Sequence, residues 1–259
     1  MTRRLEYVTN PRAQIIGPRR FSLDVAGVER AVHRTHQLIG QLAAFEVDVF
    51  ALLGMRNLSA FIGELFAASM ILEHSELFRK NPHQDGYPDL LLLDRAGLAE
   101  WARLAGRLRD KAPFSPFARG GFEVKATCGE VPTPAVCQRR GFEKPDIGDQ
   151  RISCLTGYNW KAHHRETNHL FGLFWDFMDR TPAIVAVFYS AALVETDWGK
   201  VVKPRDGGGR TTSVSTMKRD GVRKMYNGWI TVINLSPYAV FFDKRNRSAE
   251  MAAAMSRSS

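Results

Sequence analysis

The sequence contains few of the features that mark secreted proteins, membrane-spanning proteins or proteins with structural zinc sites. Its three cysteines, Cys128, Cys137 and Cys154, form no CxxC pair. Neither a disulfide framework nor a thiolate zinc site is therefore expected, and free thiols in a reducing compartment are the simpler interpretation. No apolar run is long enough to span a bilayer. The first residues, MTRRLEYVTNPR, have no apolar segment behind their basic side chains, so we expect no secretory signal and take the cytoplasm as the default location.

Acidic residues are also in deficit. The 259 residues include 36 lysines and arginines against 27 aspartates and glutamates, which gives a formal net charge of +9. Such an excess favours a polyanionic partner, most often nucleic acid, although a soluble protein can be basic without one. The length suits a single domain over residues 1–259. We divide it into an N-terminal helical region (1–54), a core (55–195), a basic segment (196–243) and a flexible tail (244–259).

The hydrophobic pattern predicts an α/β protein with a central mixed β-sheet flanked by helices. Residues 25–53 follow a helical period that Gly54 can end. Residues 58–72 are apolar almost all round, which predicts a buried helix whose only charge is Glu64. A buried carboxylate needs a cation or a donor, although a glutamate pointing out to solvent is the plain alternative. Strands are predicted at 90–93, 122–127, 170–178, 183–193 and 229–235, and a further helix at 95–110.

Two short stretches carry the residues that suggest chemistry. Pro88 and Asp89 stand at the start of a run of four leucines, and a glycine-bounded strand contains Glu123, Val124 and Lys125. Residues two apart in a strand point to the same face, so Glu123 and Lys125 project together and Asp89 can reach them from a neighbouring strand. Two carboxylates and the main-chain carbonyl of Val124 are hard oxygen ligands that suit Mg²⁺. A lysine beside them can hold or deprotonate a water, which phosphodiester hydrolysis requires.

Glu64, Pro88-Asp89 and Glu123-Val124-Lys125 together resemble the motif of the PD-(D/E)xK nuclease superfamily. A single [DE]xK triplet arises by chance, and the resemblance rests on the order and context of all three elements over residues 55–130. It implies a restriction-endonuclease-like core in which Asp89 and Glu123 bind Mg²⁺ and Lys125 positions or activates the water. Glu64 would support a second metal or hold Lys125. Type II restriction endonucleases, many of them of this size, are the favoured subtype.

The resemblance also implies double-stranded DNA as substrate, a homodimer for palindromic sites, and a cognate DNA methyltransferase in the same system, not as a physical partner. Histidines stand at 163, 164 and 169. They do not suggest zinc, because adjacent histidines seldom chelate one ion well and no carboxylate or thiolate pattern accompanies them. Residues 217–226 predict a helix, capped by Ser213 or Ser215, with a basic face of Lys218, Arg219, Arg223 and Lys224. The expected DNA contacts are Arg139, Arg140, Lys161, His163, His164, Arg165, Asn168, Arg205, Arg210 and Lys218.

Two alternatives stay open from the sequence. A repair or recombination nuclease could use the same core and cut according to DNA structure. A basic DNA-binding protein without catalysis could use Glu123 and Lys125 only as an ion pair. The large aromatic residues Trp160, Phe171, Phe174, Trp175 and Phe177 are expected in the core or a dimer surface before a stacking role.

Overall fold

The computed structural model describes residues 5–204 and 213–244. A seven-stranded mixed sheet forms its centre, in the order β1-β11-β9-β8-β6-β5-β4. The strands are β1 (Tyr7–Thr9), β2 (Ile15–Ile16), β3 (Ser22–Leu23), β4 (Phe78–Lys80), β5 (Leu90–Leu92), β6 (Gly121–Thr127), β7 (Lys161–Ala162), β8 (Leu170–Met178), β9 (Thr181–Ser190), β10 (Ser215–Thr216) and β11 (Trp229–Ile233). The helices are α1 (Val25–Ala43), α2 (Val49–Glu73), α3 (Arg95–Arg103), α4 (Pro134–Arg139), α5 (Arg219–Asn227) and α6 (Ser236–Lys244). The predicted α/β class with a central mixed sheet is confirmed.

One pair of neighbouring strands in the seven-stranded sheet is parallel, and the other pairs are antiparallel. β4, β5 and β6 form an antiparallel meander, whereas β6 and β8 are parallel and are joined by a long connection that contains α4 and β7. β8 and β9 form the predicted antiparallel hairpin, and β11 and β1 extend the sheet beyond it. The parallel pair therefore lies at the middle of the sheet, and one of its two strands, β6, contains Glu123 and Lys125.

Two apolar layers cover the sheet. Helices α1 and α2 pack on one face against alternate strand residues, which include Phe122, Val124 and Phe171. On the other face, α5, α6 and the segment after α4 pack around Trp160, Phe174 and Tyr226. A third, smaller cluster joins Leu91 and Leu93 of the β5 region to residues that follow α3. The aromatic residues expected in the core are all buried.

Several predicted boundaries are wrong. The first helix ends at Ala43, and a second begins at Val49, where the Asp48 carboxylate accepts a hydrogen bond from the Ala51 amide at 2.9 Å. Gly54 does interrupt the chain, but within α2, where its φ of 65° lies in a region that glycine adopts at little cost. The N-cap position of α5 is Lys218, whose side chain forms no capping hydrogen bond; the predicted caps Ser213 and Ser215 lie earlier in the chain, and Ser215 belongs to β10. Helix α6 was not predicted. The tail proposed for 244–259 begins one residue too early, because Lys244 is the last residue of α6, and residues 245–259 lie outside the described residues.

No single helix of the described ranges is long and apolar enough to cross a membrane. The segments Val49–Met55 and Asn57–Glu73 of α2 meet that criterion only when they are taken together across a bend of 113°.

Candidate active site

Asp89 and Glu123 face each other across the antiparallel pair of β5 and β6. Leu90 lies opposite Phe122, so Asp89, one residue earlier, lies opposite Glu123. The Asp89 amide donates to Glu123 Oε2 at 3.1 Å, and the Val124 amide donates to Asp89 Oδ2 at 2.9 Å. A Cβ on Gly121 would overlap the Leu90 carbonyl, so this glycine permits the close approach of the two strands. The backbone thus fixes both carboxylates.

Lys125 completes the cluster from the same face of β6 as Glu123. Its Nζ lies 2.5 Å from Glu123 Oε1 and 3.4 Å from Asp89 Oδ2. The side chains of Glu123, Lys125 and Asp89 are 6%, 20% and 26% exposed, so the cluster is sheltered but open to solvent on the Asp89 side. The predicted convergence of these three side chains is confirmed, and their catalytic roles stay predictions.

Burial and charge act against each other in this cluster. Burial raises the pKa of Glu123 to about 7, with the Lys125 charge opposing the shift and the Asp89 charge adding to it. Burial alone would lower the pKa of Lys125, but the charges of Glu123 and Asp89 outweigh it and hold the pKa above its ordinary value. Lys125 is therefore an ammonium near neutral pH, whereas Glu123 is close to its titration midpoint.

The oxygen atoms of this cluster are of the type that Mg²⁺ prefers as ligands. The Glu123 amide donates to the His169 carbonyl in the direction of β8, so strand alternation turns the amide and carbonyl of Val124 toward Asp89. Within residues 5–204 and 213–244, no cluster of three or more His, Cys, Asp or Glu side chains could hold a metal. A cation here would therefore have two carboxylates and the Val124 carbonyl as protein ligands, and Mg²⁺ commonly keeps several waters in such sites.

A buried amide holds the turn that presents Asp89. Asn81 is 5% exposed, and its Nδ2 donates to the carbonyls of Pro88 at 3.0 Å and Phe114 at 2.8 Å. The Asn81 backbone amide donates to the Asp89 carbonyl at 3.0 Å, which continues the β4–β5 ladder past its last strand residue. Asn81 was missed by sequence reasoning, because its partners lie 7 and 33 residues away.

Tyr87 and His164 border the cluster. The Tyr87 and His164 rings meet edge to face with centroids 4.6 Å apart, and the Tyr87 hydroxyl accepts a hydrogen bond from the Asn168 amide at 3.1 Å. Burial lowers the pKa of His164, and the nearby Lys125 charge lowers it further. His164 was predicted as a DNA contact, which stays a prediction; the structure places it against Tyr87 and near enough to Lys125 for that charge to act on it. Tyr87 was not predicted as a site residue. Its position immediately before Pro88 and Asp89 is the sequence signal that could have identified it.

Glu64 does not join the cluster. Its side chain is 47% exposed and forms an ion pair with Lys80, so the expected burial is wrong. Lys80 lies opposite Leu90 in the β4–β5 pair and shares its face, which is the α2 face of the sheet. Glu123 and Lys125 project from the other face. No ion pair of the described residues connects Glu64 to Lys125.

The expected DNA contacts fall into different environments. Arg139, Arg140, Lys161 and Lys218 are exposed. His163 is also exposed, and its Nδ1 lies 3.1 Å from the Ser213 carbonyl. Arg205 and Arg210 lie outside the described residues.

Two of the expected contacts already have protein partners. Arg165 forms an ion pair with Glu195 at 2.6 Å, and Asn168 bonds to the main chain of Ala191 and Leu193. The predicted basic face of α5 is also incomplete, because Lys224 turns inward and bonds to Asp197 at 2.7 Å. The expected contacts that are exposed cations therefore lie at the end of α4, at β7 and immediately before α5.

Comparisons with known proteins returned no match, whether against family models, curated proteins or solved structures. The inference of function therefore depends on the geometry of the site and on the motif.

Proposed function

We propose that this chain is a Mg²⁺-dependent, sequence-specific double-stranded DNA endonuclease of the type II restriction class, built on a PD-(D/E)xK core. The observation that supports it is the convergence of Asp89, Glu123 and Lys125 across β5 and β6, with Lys125 Nζ within 3.4 Å of both carboxylates. Such a set of two acids and one lysine beside a free main-chain carbonyl matches what metal-assisted phosphodiester hydrolysis needs.

Each side chain has a distinct part in this proposal. Asp89 and Glu123, with the Val124 carbonyl, would hold the cation, which supplies a water of lowered pKa and neutralises charge on the phosphate. Lys125, an ammonium near neutral pH, donates hydrogen bonds to the attacking water or to a phosphate oxygen and so orients it. The raised pKa of Lys125 argues against a role as the proton acceptor in the cation-free state.

The DNA partner follows from charge and exposure. The chain has a net charge of +9, and Arg139, Arg140 and Lys161 are exposed and can approach phosphates. His164, beside Tyr87 and Lys125, is placed to contact the strand at the point of cleavage. Arg165 and Asn168 also hold the loop that carries His164, and their DNA contacts stay predictions. A homodimer remains the expected form, since a palindromic site is most simply read by a twofold-symmetric pair.

One observation favours the non-catalytic alternative. Lys125 forms ion pairs with both carboxylates, and a purely structural ion-pair cluster would have the same geometry. A protein of that kind would bind DNA equally well with and without Mg²⁺ and would never cut it. A repair or recombination nuclease on the same core would cut according to DNA structure instead of sequence.

Incubation with plasmid and phage DNA in the presence of Mg²⁺ separates these functions. Discrete bands that appear only with Mg²⁺ support a sequence-specific endonuclease. Cutting restricted to junctions, flaps or single-stranded ends supports the repair alternative. Binding without any cutting, in Mg²⁺ and in Mn²⁺, supports the non-catalytic protein and contradicts the proposal.

A further inference from the structure

One cavity of the protein shares no residue with the Asp89–Glu123–Lys125 cluster. It has a volume of about 640 Å³ and opens between the first turns of α2 and the loop that follows α4. Met55, Pro145 and Ile147 provide an apolar wall, and Lys144 and Arg151 provide two cationic groups. The proposed nuclease function uses none of these residues.

Arg151 is the unusual member of this lining. The residue is 7% exposed, and its Nε–H has no acceptor among the described residues. No carboxylate of those residues lies within ion-pair distance of its guanidinium group. Nε is the only guanidinium nitrogen of Arg151 that is both buried and without an acceptor among the described residues, so the terminal nitrogens keep their donors for a ligand in the cavity.

The main chain holds Arg151 in place. Its backbone amide donates to both oxygens of the buried Asp176, at 2.9 and 3.1 Å. The other donors to Asp176 are the Ile152 and Phe177 amides and the Tyr238 hydroxyl. The Asp176 carboxylate therefore anchors the backbone of Arg151 and accepts no hydrogen bond from the guanidinium group. A fixed backbone pre-orients the side chain that enters the cavity.

Three carboxylates line the same cavity, and none of them forms an ion pair with Arg151. Asp149 Oδ2 accepts from the Asp146 amide at 2.8 Å, and Asp146 Oδ1 accepts from the Ile147 amide at 2.8 Å, so these carboxylates stabilise their own turn. Glu143 also lines the cavity but forms no ion pair with Arg151. Burial raises the pKa of the nearby Cys128 and Cys154 thiols, so neither is a thiolate near neutral pH.

We propose that this cavity binds a small oxyanion, a phosphate or a carboxylate, with Arg151 as its main anchor and Lys144 as a second cation. A guanidinium group can donate two parallel hydrogen bonds to such an anion, and these charge-assisted bonds are about twice as strong as neutral ones. The wall of Met55, Pro145 and Ile147 accommodates an apolar body if the oxyanion belongs to an organic molecule. The source of the oxyanion is either a free small molecule or a phosphate of DNA.

Thermal unfolding with inorganic phosphate as the probe tests the site, at constant ionic strength and without Mg²⁺ or DNA. We expect the Tm of the wild type to rise with the logarithm of the phosphate concentration above its Kd, by about 3 °C at a roughly tenfold excess over the Kd. Arg151→Met should abolish the rise, and without phosphate its Tm should be no lower than that of the wild type. Arg95→Met, at the exposed first residue of α3, is the matched control and should keep the full rise.

Two further measurements keep the test decisive. Lys144→Met, at an exposed position, should weaken phosphate binding several-fold, and the Nε–H resonance of Arg151 in the wild type should shift during the titration. A wild-type Tm that does not respond to phosphate, an unshifted resonance, or an undiminished rise in Arg151→Met would overturn the proposal. Competition by short duplex DNA would identify a DNA phosphate as the ligand, and no competition would identify a small molecule. Because neither Mg²⁺ nor cleavage enters the assay, the result is independent of the nuclease proposal.

Discussion

Glu123→Gln should change how the stability of the protein depends on pH. Burial raises the pKa of Glu123 to about 7, so near pH 6 the folded state keeps a proton that the unfolded state has released. Raising the pH from about 4.5 to 7 therefore favours the unfolded state. The shift of roughly 2.5 pKa units, at about 1.36 kcal/mol per unit, sets a ceiling of about 3 kcal/mol on this loss.

Glutamine keeps the size and the acceptor oxygen of the side chain but does not titrate. As the pH rises from about 5 to about 8, the free energy of unfolding of Glu123→Gln minus that of the wild type should therefore increase by about 2–3 kcal/mol. Urea unfolding followed by tryptophan fluorescence measures both proteins under identical conditions, and the contributions of all other titrating groups cancel in the difference. A difference that does not change with pH, or one that changes in favour of the wild type, would refute the proposed burial-raised pKa.

Three other expectations follow from the same geometry. The Mg²⁺ concentration for half-maximal cleavage should fall about tenfold per pH unit up to pH 7 and then level off, because protons and the cation compete for Glu123; a constant value contradicts this. Asn81→Ala should lower the free energy of unfolding by about 1–3 kcal/mol in urea, since it leaves the buried Pro88 carbonyl without its donor and the Phe114 carbonyl with only the Tyr87 amide, whereas the exposed Asn57→Ala should cost about 0.5 kcal/mol or less. DNA affinity should fall steeply with salt, and Arg139→Ala should reduce the slope of log K against log salt by about 1 in a filter-binding series; an unchanged slope removes Arg139 from the phosphate contacts.

The strands β5, β6, β8, β9 and β11 were predictable because their signals are local, whereas the short edge strands β1 and β4 lie in stretches expected to be irregular. The runs that form β8 and β9 are continuous and apolar, as strands buried on both faces should be, and the turn between them is short. The cluster of Asp89, Glu123 and Lys125 was predictable for a similar reason. Two of its members share one strand at a spacing of two, and the third begins the adjacent strand.

Glu64 shows where periodicity misleads. Ala60, Glu64, Ala68 and Leu72 are all exposed, and their spacing of four residues makes them one stripe along α2. Three of the four are apolar, so the stripe is invisible to a pattern that separates apolar from charged residues. The outward position of Glu64 follows from the packing of the other faces of α2, which the sequence does not display.

Pairings between distant residues were the other obstacle. Lys224 was expected on an exposed basic face, but it bonds to Asp197, 27 residues earlier in the chain. Arg165 and Glu195 form a comparable pair over 30 residues. A helical period places a side chain on a face, but only the fold determines whether a partner already occupies that face.

Cleavage and binding measured side by side test the central claim most directly. Wild-type protein, Asp89→Asn and Lys125→Ala would be compared on the same plasmid and duplex DNA, with and without Mg²⁺, alongside the exposed control Arg95→Met. We predict Mg²⁺-dependent cleavage by the wild type and by Arg95→Met, and none by the two cluster variants, which should still bind DNA. Cleavage by Lys125→Ala at the wild-type rate would contradict the account.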